Sequence, residues 1–269
     1  METAYRQFFA LQNEPFACDV ERKDILVTPA VSAVQDRIHY AMRLGAVALV
    51  TGEVGSGKST ALRYCIGGLH PSEYRVLCVT ASSGSILELY RQILGELGHD
   101  VSGNSRALMT RAIRREVLEL VKGKKMKTVL VIDEASLLRL EVFAELHTLS
   151  QFEHDSKPYL PIVLAGQANL VDHLRYRTGL PLASRVVAKS HLKGIDQKTM
   201  EDYLRHHLAL AGVDRLLFDD AAVTAIHQGS GGLFRKANHL ARGALIAAAH
   251  QKAPLVIAEH VRVAATELF

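Results

Sequence analysis

The sequence predicts an α/β protein in which a parallel sheet flanked by helices is followed by a smaller, all-helical subdomain. Short apolar runs bounded by turn residues recur at 46–50, 75–79, 128–132, 161–165 and 186–192, with stretches of helical period between them. Strands that alternate with helices form a parallel sheet covered on both faces. After Gly194 the short apolar runs cease and only helical patterns follow. The expected organisation is therefore an α/β domain over 1–193, including an N-terminal segment, and a helical subdomain over 194–269.

The first run, Ala46 to Val50, leads into Gly52-Glu53-Val54-Gly55-Ser56-Gly57-Lys58-Ser59 and then Thr60 and Ala61. This is the phosphate-loop pattern G-x-x-x-x-G-K-[ST], filled at every fixed position, with a strand before it and a helix after it as the pattern requires. Glycines at 52, 55 and 57 allow the backbone to turn its N–H groups toward phosphate oxygens, and the following helix offers the positive end of its dipole to the same anion. Residues 52 to 60 are thus expected to bind a nucleotide, with Lys58 on the terminal phosphates and Ser59 on Mg2+.

Next in order come the run at 75–79 and a helix carrying Ile86, Leu87, Tyr90, Ile93, Leu94 and Leu97. Gly103, Asn104 and Ser105 mark a loop and an N-cap for a helix over 106–122. The stripe Leu108, Ile113, Val117, Leu120 and Val121 supplies its buried side. Arg106, Arg111, Arg114, Arg115, Lys122, Lys124, Lys125 and Lys127 face only Glu116 and Glu119, a local balance of +6 that exceeds the +4 of the entire chain. Such a segment binds duplex DNA through phosphates without reading sequence, or is the solvated face of a helix; its charge alone is compatible with both. No zinc finger or helix-turn-helix reader accompanies it.

The run 128–132 ends in Asp133 and Glu134. A buried parallel strand delivers its C-terminal residues to the edge of the sheet where ligands bind, so these carboxylates meet the nucleotide: Asp133 as an oxygen ligand of magnesium, Glu134 orienting the attacking water. The runs at 161–165 and 186–192 complete the sheet. Helices then follow over 196–211, closing at Gly212; over 219–228, opening at Asp219 and closing at Gly229; over 233–251; and over 258–268.

Composition sets the class. With 269 residues, 48% hydrophobic and 22% charged, the chain can bury a sizeable core. No run reaches the ~18 apolar residues of a membrane span, and the N-terminus lacks a signal-peptide core, so neither membrane nor export is expected. Cys18, Cys65 and Cys78 form no framework or C-x-x-C pair, which fits a reducing cytoplasm. The thirteen histidines lack metal-ligand spacing; His206 and His207 are adjacent and diverge on a helix, and there is no H-E-x-x-H.

Taken with Tyr5, Phe8-Phe9, Asn13-Glu14-Pro15-Phe16, Val131 to Ala135, Leu164 to Gln167, Ala183-Ser184-Arg185 and Gly231 to Leu240, the phosphate loop and the Asp133-Glu134 strand resemble those of an AAA+ ATPase, and more narrowly its ExeA-type branch of secretion-pathway and transposition-associated ATPases. The resemblance implies ATP and Mg2+ as cofactors, head-to-tail assembly into a ring or helical filament, and a C-terminal helical lid. It further implies that Gln167 senses the γ-phosphate, where many relatives have Asn. Arg235, preceded by Phe234 in place of a common proline, would be the second sensor. Arg185 would complete the neighbouring subunit's site, with Arg175 and Arg177 as rivals. The expected role is an ATP-hydrolysing regulator of transposition that assembles on duplex DNA and recruits or activates a transposase. A secretion-assembly ATPase is the alternative; such proteins usually carry a membrane span and a wall-binding region after the ATPase, which this sequence lacks. A non-hydrolysing interaction switch is a third reading, disfavoured by Glu134.

Overall fold

The computed structural model describes residues 2–99 and 103–266. Its five strands are β1 (Val47–Gly52), β2 (Tyr74–Thr80), β3 (Lys127–Asp133), β4 (Ile162–Gly166) and β5 (Val186–Leu192), joined in one parallel sheet of order β2-β3-β4-β1-β5. All five expected runs are strands. The central strands are apolar along their length because helices cover both faces, whereas the edges β2 and β5 alternate between buried and exposed residues.

The two-residue period of β3 sorts its side chains. Leu130 and Ile132 join Leu49, Leu77 and Leu164 under the helices Ile86–Glu96, Arg106–Leu118 and Leu140–Ser150. Val129 and Val131 join Val50 and Val163 under the helices Pro29–Leu44 and Lys58–Ile66. Ser105 caps the helix Arg106–Leu118 by accepting from the N–H of Leu108. Instead of one helix to 122, a π-turn over Glu119–Gly123 follows, in which the N–H of Lys124 donates to the carbonyl of Glu119.

The chain divides into two units. One holds Pro29–Gly52 and Lys58–Leu192, and therefore the whole sheet; the other holds the residues up to Thr28, Glu53–Gly57 and the chain from Lys193 onward. In the second, the helices Gln197–Leu210, Asp220–Ser230, Phe234–His250 and Ala258–Thr266 pack around Tyr5, Phe9 and Phe16 of the N-terminal stretch. Asp196 and Asp219 cap two of these helices, accepting from the N–H groups of Thr199 and Ala222. The helix expected to close at Gly229 runs on to Ser230, because the left-handed break is made by Gly231 (φ +62°) and Gly232 (φ +75°). A side chain at Gly194 would meet the carbonyl of Gly231 at 2.1 Å, which fixes glycine there. Of the last expected helix, 267 and 268 lie outside the described residues. Phe16 is core, stacked on His207.

Candidate functional site

Strand β1 ends at Gly52, and its carbonyl accepts a 3.0 Å hydrogen bond from Nζ of Lys58, which opens the next helix and is 6% exposed. Between them the backbone reverses through Gly55 (φ +83°) and Gly57 (φ +93°), conformations that side-chain-bearing residues avoid. The N–H of Ser56 donates to the carbonyl of Glu53, while the Ser56 hydroxyl is buried without a protein partner. Glu53 and Val54 point to solvent, and Thr60 is half-buried in the first helical turn.

At the end of β3, the hydroxyl of Ser59 donates to Asp133 Oδ2 at 2.7 Å, and the N–H of Glu134 donates to Asp133 Oδ1 at 2.8 Å. Glu134 is left-handed (φ +53°), a conformation uncommon for a residue with a side chain, and a single helical turn, Ala135–Leu137, follows. Buried Ser136 then accepts from the backbone N–H of Gln167 at 3.3 Å. A Cβ at Gly166 would lie 2.8 Å from the N of Ser136, so the ends of β3 and β4 interlock through a glycine. Ser136 thus sets where Gln167 emerges. Nothing in its sequence context marks it beyond its place two residues after Glu134.

These groups fit a magnesium-bound nucleoside triphosphate. The glycine turn with an unpartnered buried hydroxyl suits phosphate oxygens. The adjoining Ser59 hydroxyl and Asp133 carboxylate are the hard oxygen donors that magnesium takes, with water completing its shell.

In the unit that contains the helical region, the N–H of Arg235 donates to the carbonyl of Gly55 at 3.3 Å. A Cβ at Gly55 would come within 2.8 Å of that of Arg235, and one at Gly57 within 3.2 Å of the Phe234 ring. The helix begins at Phe234, so Arg235 occupies its first turn, side chain exposed.

Arg185 is engaged within its own chain: it ion-pairs with Asp155, its Nε donates to His147 Nδ1 at 3.1 Å, and its side chain is 19% exposed. Its rivals are exposed; Arg175 pairs with Asp172, and Arg177 has no acidic partner among the described residues.

The basic segment divides in two. Arg106 pairs with Glu145, Arg115 with Glu116 and Lys122 with Glu153, and Arg114 donates to the carbonyls of Thr148 and Gln151. Arg111, Lys124 and Lys125 have no acidic partner among the described residues, and Lys127 lies over the Tyr74 ring at 5.1 Å. Arg106, Arg111, Arg114, Arg115 and Lys122 line one open groove along the helix and its π-turn. The count of +6 therefore overstates the unpaired charge.

Residues 42–174 match the AAA domain family. General secretion pathway protein A of Aeromonas hydrophila is 30% identical over 98% of this chain and 48% of its own length. The ATP-dependent target DNA activator B of Escherichia phage Mu is 30% identical over 46% of this chain and 37% of that protein. The chain thus spans less than half the length of either relative. Among solved structures, Cdc6p of Pyrobaculum aerophilum superposes with a TM-score of 0.75 at 14% identity, covering 94% of this chain and 70% of that one. The ORC1 protein of Aeropyrum pernix, solved in complex with DNA, gives 0.66 at 18%, covering 92% and 69%. At such identities the two structures speak to the fold.

Proposed function

We propose that this chain, which belongs to the AAA+ P-loop proteins of the ExeA type, is a cytoplasmic, magnesium-dependent ATPase that assembles head-to-tail on duplex DNA and recruits or activates a transposase. The observation that carries the ATPase reading is the Ser59–Asp133 hydrogen bond beside left-handed Glu134, which gathers the magnesium donors and a water-orienting carboxylate at one strand end. In this reading residues 1–193 are the nucleotide-binding domain and 194–269 the lid.

Lys58 and the amides of the loop Gly52 to Thr60 hold the phosphates, and Ser59 and Asp133 hold the metal. Magnesium, when bound, neutralises charge on the phosphate oxygens. Glu134 orients and polarises the attacking water, Gln167 and Arg235 contact the γ-phosphate, and Arg185 completes the next subunit's site. Glutamate at 134 separates this from a non-hydrolysing switch, which needs no such carboxylate.

The transposition role is supported by the similarity to the phage activator and by the free basic residues around Arg111, Lys124 and Lys125. The similarity to the Aeromonas secretion protein runs over 98% of the chain and favours a second reading, secretion assembly. Electrophoretic-shift titration with a random-sequence duplex, in ATP and in ADP, separates them. ATP-dependent, cooperative binding is expected; a protein that hydrolyses ATP and ignores duplex DNA leaves only the secretion reading. A transposase or a secretion component encoded beside this gene would point the same way.

A further inference from the structure

The turn between Phe152 and Lys157 is anchored on both sides. Phe152 and Lys157 form an antiparallel bridge, and between them Glu153, His154 and Asp155 are all left-handed (φ +47°, +56° and +68°). Three successive side-chain-bearing residues in that region are strained, and such a conformation persists only where surrounding contacts hold it. The contacts are visible. Glu153 binds Lys122 of the basic segment, and Arg114 donates to the carbonyl of Gln151 while its guanidinium lies 5.0 Å from the centroid of the buried Phe152 ring. On the other side Asp155 binds Arg185, whose Nε also donates to His147. One strained turn therefore holds the basic face through Glu153 and Arg185 through Asp155, two residues on.

We infer that Asp155 and His147 are positioning residues for Arg185, and that the 152–157 turn is a latch through which DNA phosphate on the basic face releases Arg185 to the neighbouring subunit. The inference rests on the reading of Arg185 and the basic segment given above. A duplex phosphate competes with Glu153 for Lys122, since both are anions seeking the same ammonium. Loss of that tether lets the strained backbone relax and withdraws Asp155 from Arg185. The guanidinium then gives up an in-chain carboxylate for the phosphates of the next subunit's nucleotide. Without DNA, Arg185 stays at home and turnover is slow. The acid–base balance agrees with the geometry: the bond from Arg185 holds the Asp155 carboxyl below the usual range, while burial and then the nearby Arg185 charge push the His147 imidazole down, keeping it the neutral acceptor that Arg185 needs.

Steady-state ATP hydrolysis by the full chain, with and without a random-sequence duplex, tests this. Wild type is expected to be stimulated by duplex. Asp155→Asn should raise duplex-free turnover several-fold toward the stimulated level, with little further gain from DNA. Asp155→Glu should restore the wild-type response, and Asp155→Asn combined with Arg185→Ala should fall to the level of Arg185→Ala alone. Glu153→Gln, at the other anchor of the turn, should show the same activation by a separate route and decides the matter if Asp155→Asn does not fold. Duplex-free turnover at the wild-type level in Glu153→Gln and in folded Asp155→Asn, with Arg185→Ala inactive, overturns the latch and leaves Arg185 in its role. Arg185→Ala that hydrolyses ATP like wild type removes that role and the latch with it. A wild type indifferent to duplex overturns the DNA trigger.

Discussion

Glu134 is held in a left-handed conformation that costs roughly 1–3 kcal/mol, offset in part by the hydrogen bond from its N–H to Asp133. Lys58 is buried, its Nζ donating to the carbonyl of Gly52. The two residues should therefore fail differently. Lys58→Ala is expected to weaken ATP binding by removing a charge-assisted contact, whereas Glu134→Gln should bind ATP and lose turnover, measured separately by nucleotide titration and phosphate release. Wild-type turnover in Glu134→Gln would take that residue out of the chemistry. A second expectation concerns His207, stacked on Phe16, tilted against Tyr203 and pushed by burial, with a smaller push from His206, from 6.5 to about 4. A depressed histidine favours the fold in its neutral form, so this stability is intact above pH 6.5 and is lost as pH falls toward 4. Between pH 7 and pH 5 it amounts to about 2 kcal/mol. Urea unfolding at the two pH values should show that loss in wild type, and a shallower dependence in His207→Phe. The phosphate-loop and Asp133-Glu134 residues were legible in sequence because their spacing is local. Ser136, His147 and Asp155 were not, because their partners Gln167 and Arg185 lie about thirty or more positions along the chain and are brought near by the sheet.

At the scale of elements, the five strands were legible as short apolar runs bounded by turn residues, and the caps at Ser105 and Asp219 sit where short polar side chains precede apolar periods, whereas Asp196, read as the first residue of its helix, is the cap before it. The π-turn at 119–123 was not legible, since its composition continues the helical pattern. Charge counting also misjudged the basic helix in a definite way. Glu145 and Glu153, which pair with Arg106 and Lys122, come after β3 and fall outside any window drawn around 106–127. The free cations Arg111, Lys124 and Lys125 should therefore supply most of the duplex contacts. Replacing all three by Ala is expected to flatten the dependence of log affinity on log salt by up to about three contacts' worth, at ~0.9 each, with little change across sequences. Replacing Arg115, already on Glu116, should matter less. A triple variant with unchanged affinity and salt slope would leave the segment a solvated helix face.

For the whole molecule, the proposed head-to-tail assembly would place different surfaces of two subunits against each other, so that each nucleotide site would be completed by its neighbour in a ring or filament. Arg185 is the side chain assigned to that completion, and in the isolated chain it lies on Asp155 and His147. A residue that acts across an interface can be rescued across one. Arg185→Ala subunits keep Glu134, Glu134→Gln subunits keep Arg185, and one of the two mixed interfaces joins both intact groups. Each variant alone should be inactive. Mixed in equal amounts with ATP and duplex DNA, they should regain about a quarter of wild-type turnover, if subunits exchange at random and each interface works independently. An arginine that served its own chain's site would give no recovery, because no subunit in the mixture holds both residues. Co-sedimentation of a tagged variant with an untagged one establishes that mixed assemblies form. With that shown, absence of recovery would assign the task elsewhere, and the same mixing with Arg177→Ala, the exposed rival without an acidic partner among the described residues, would show whether it takes the place of Arg185.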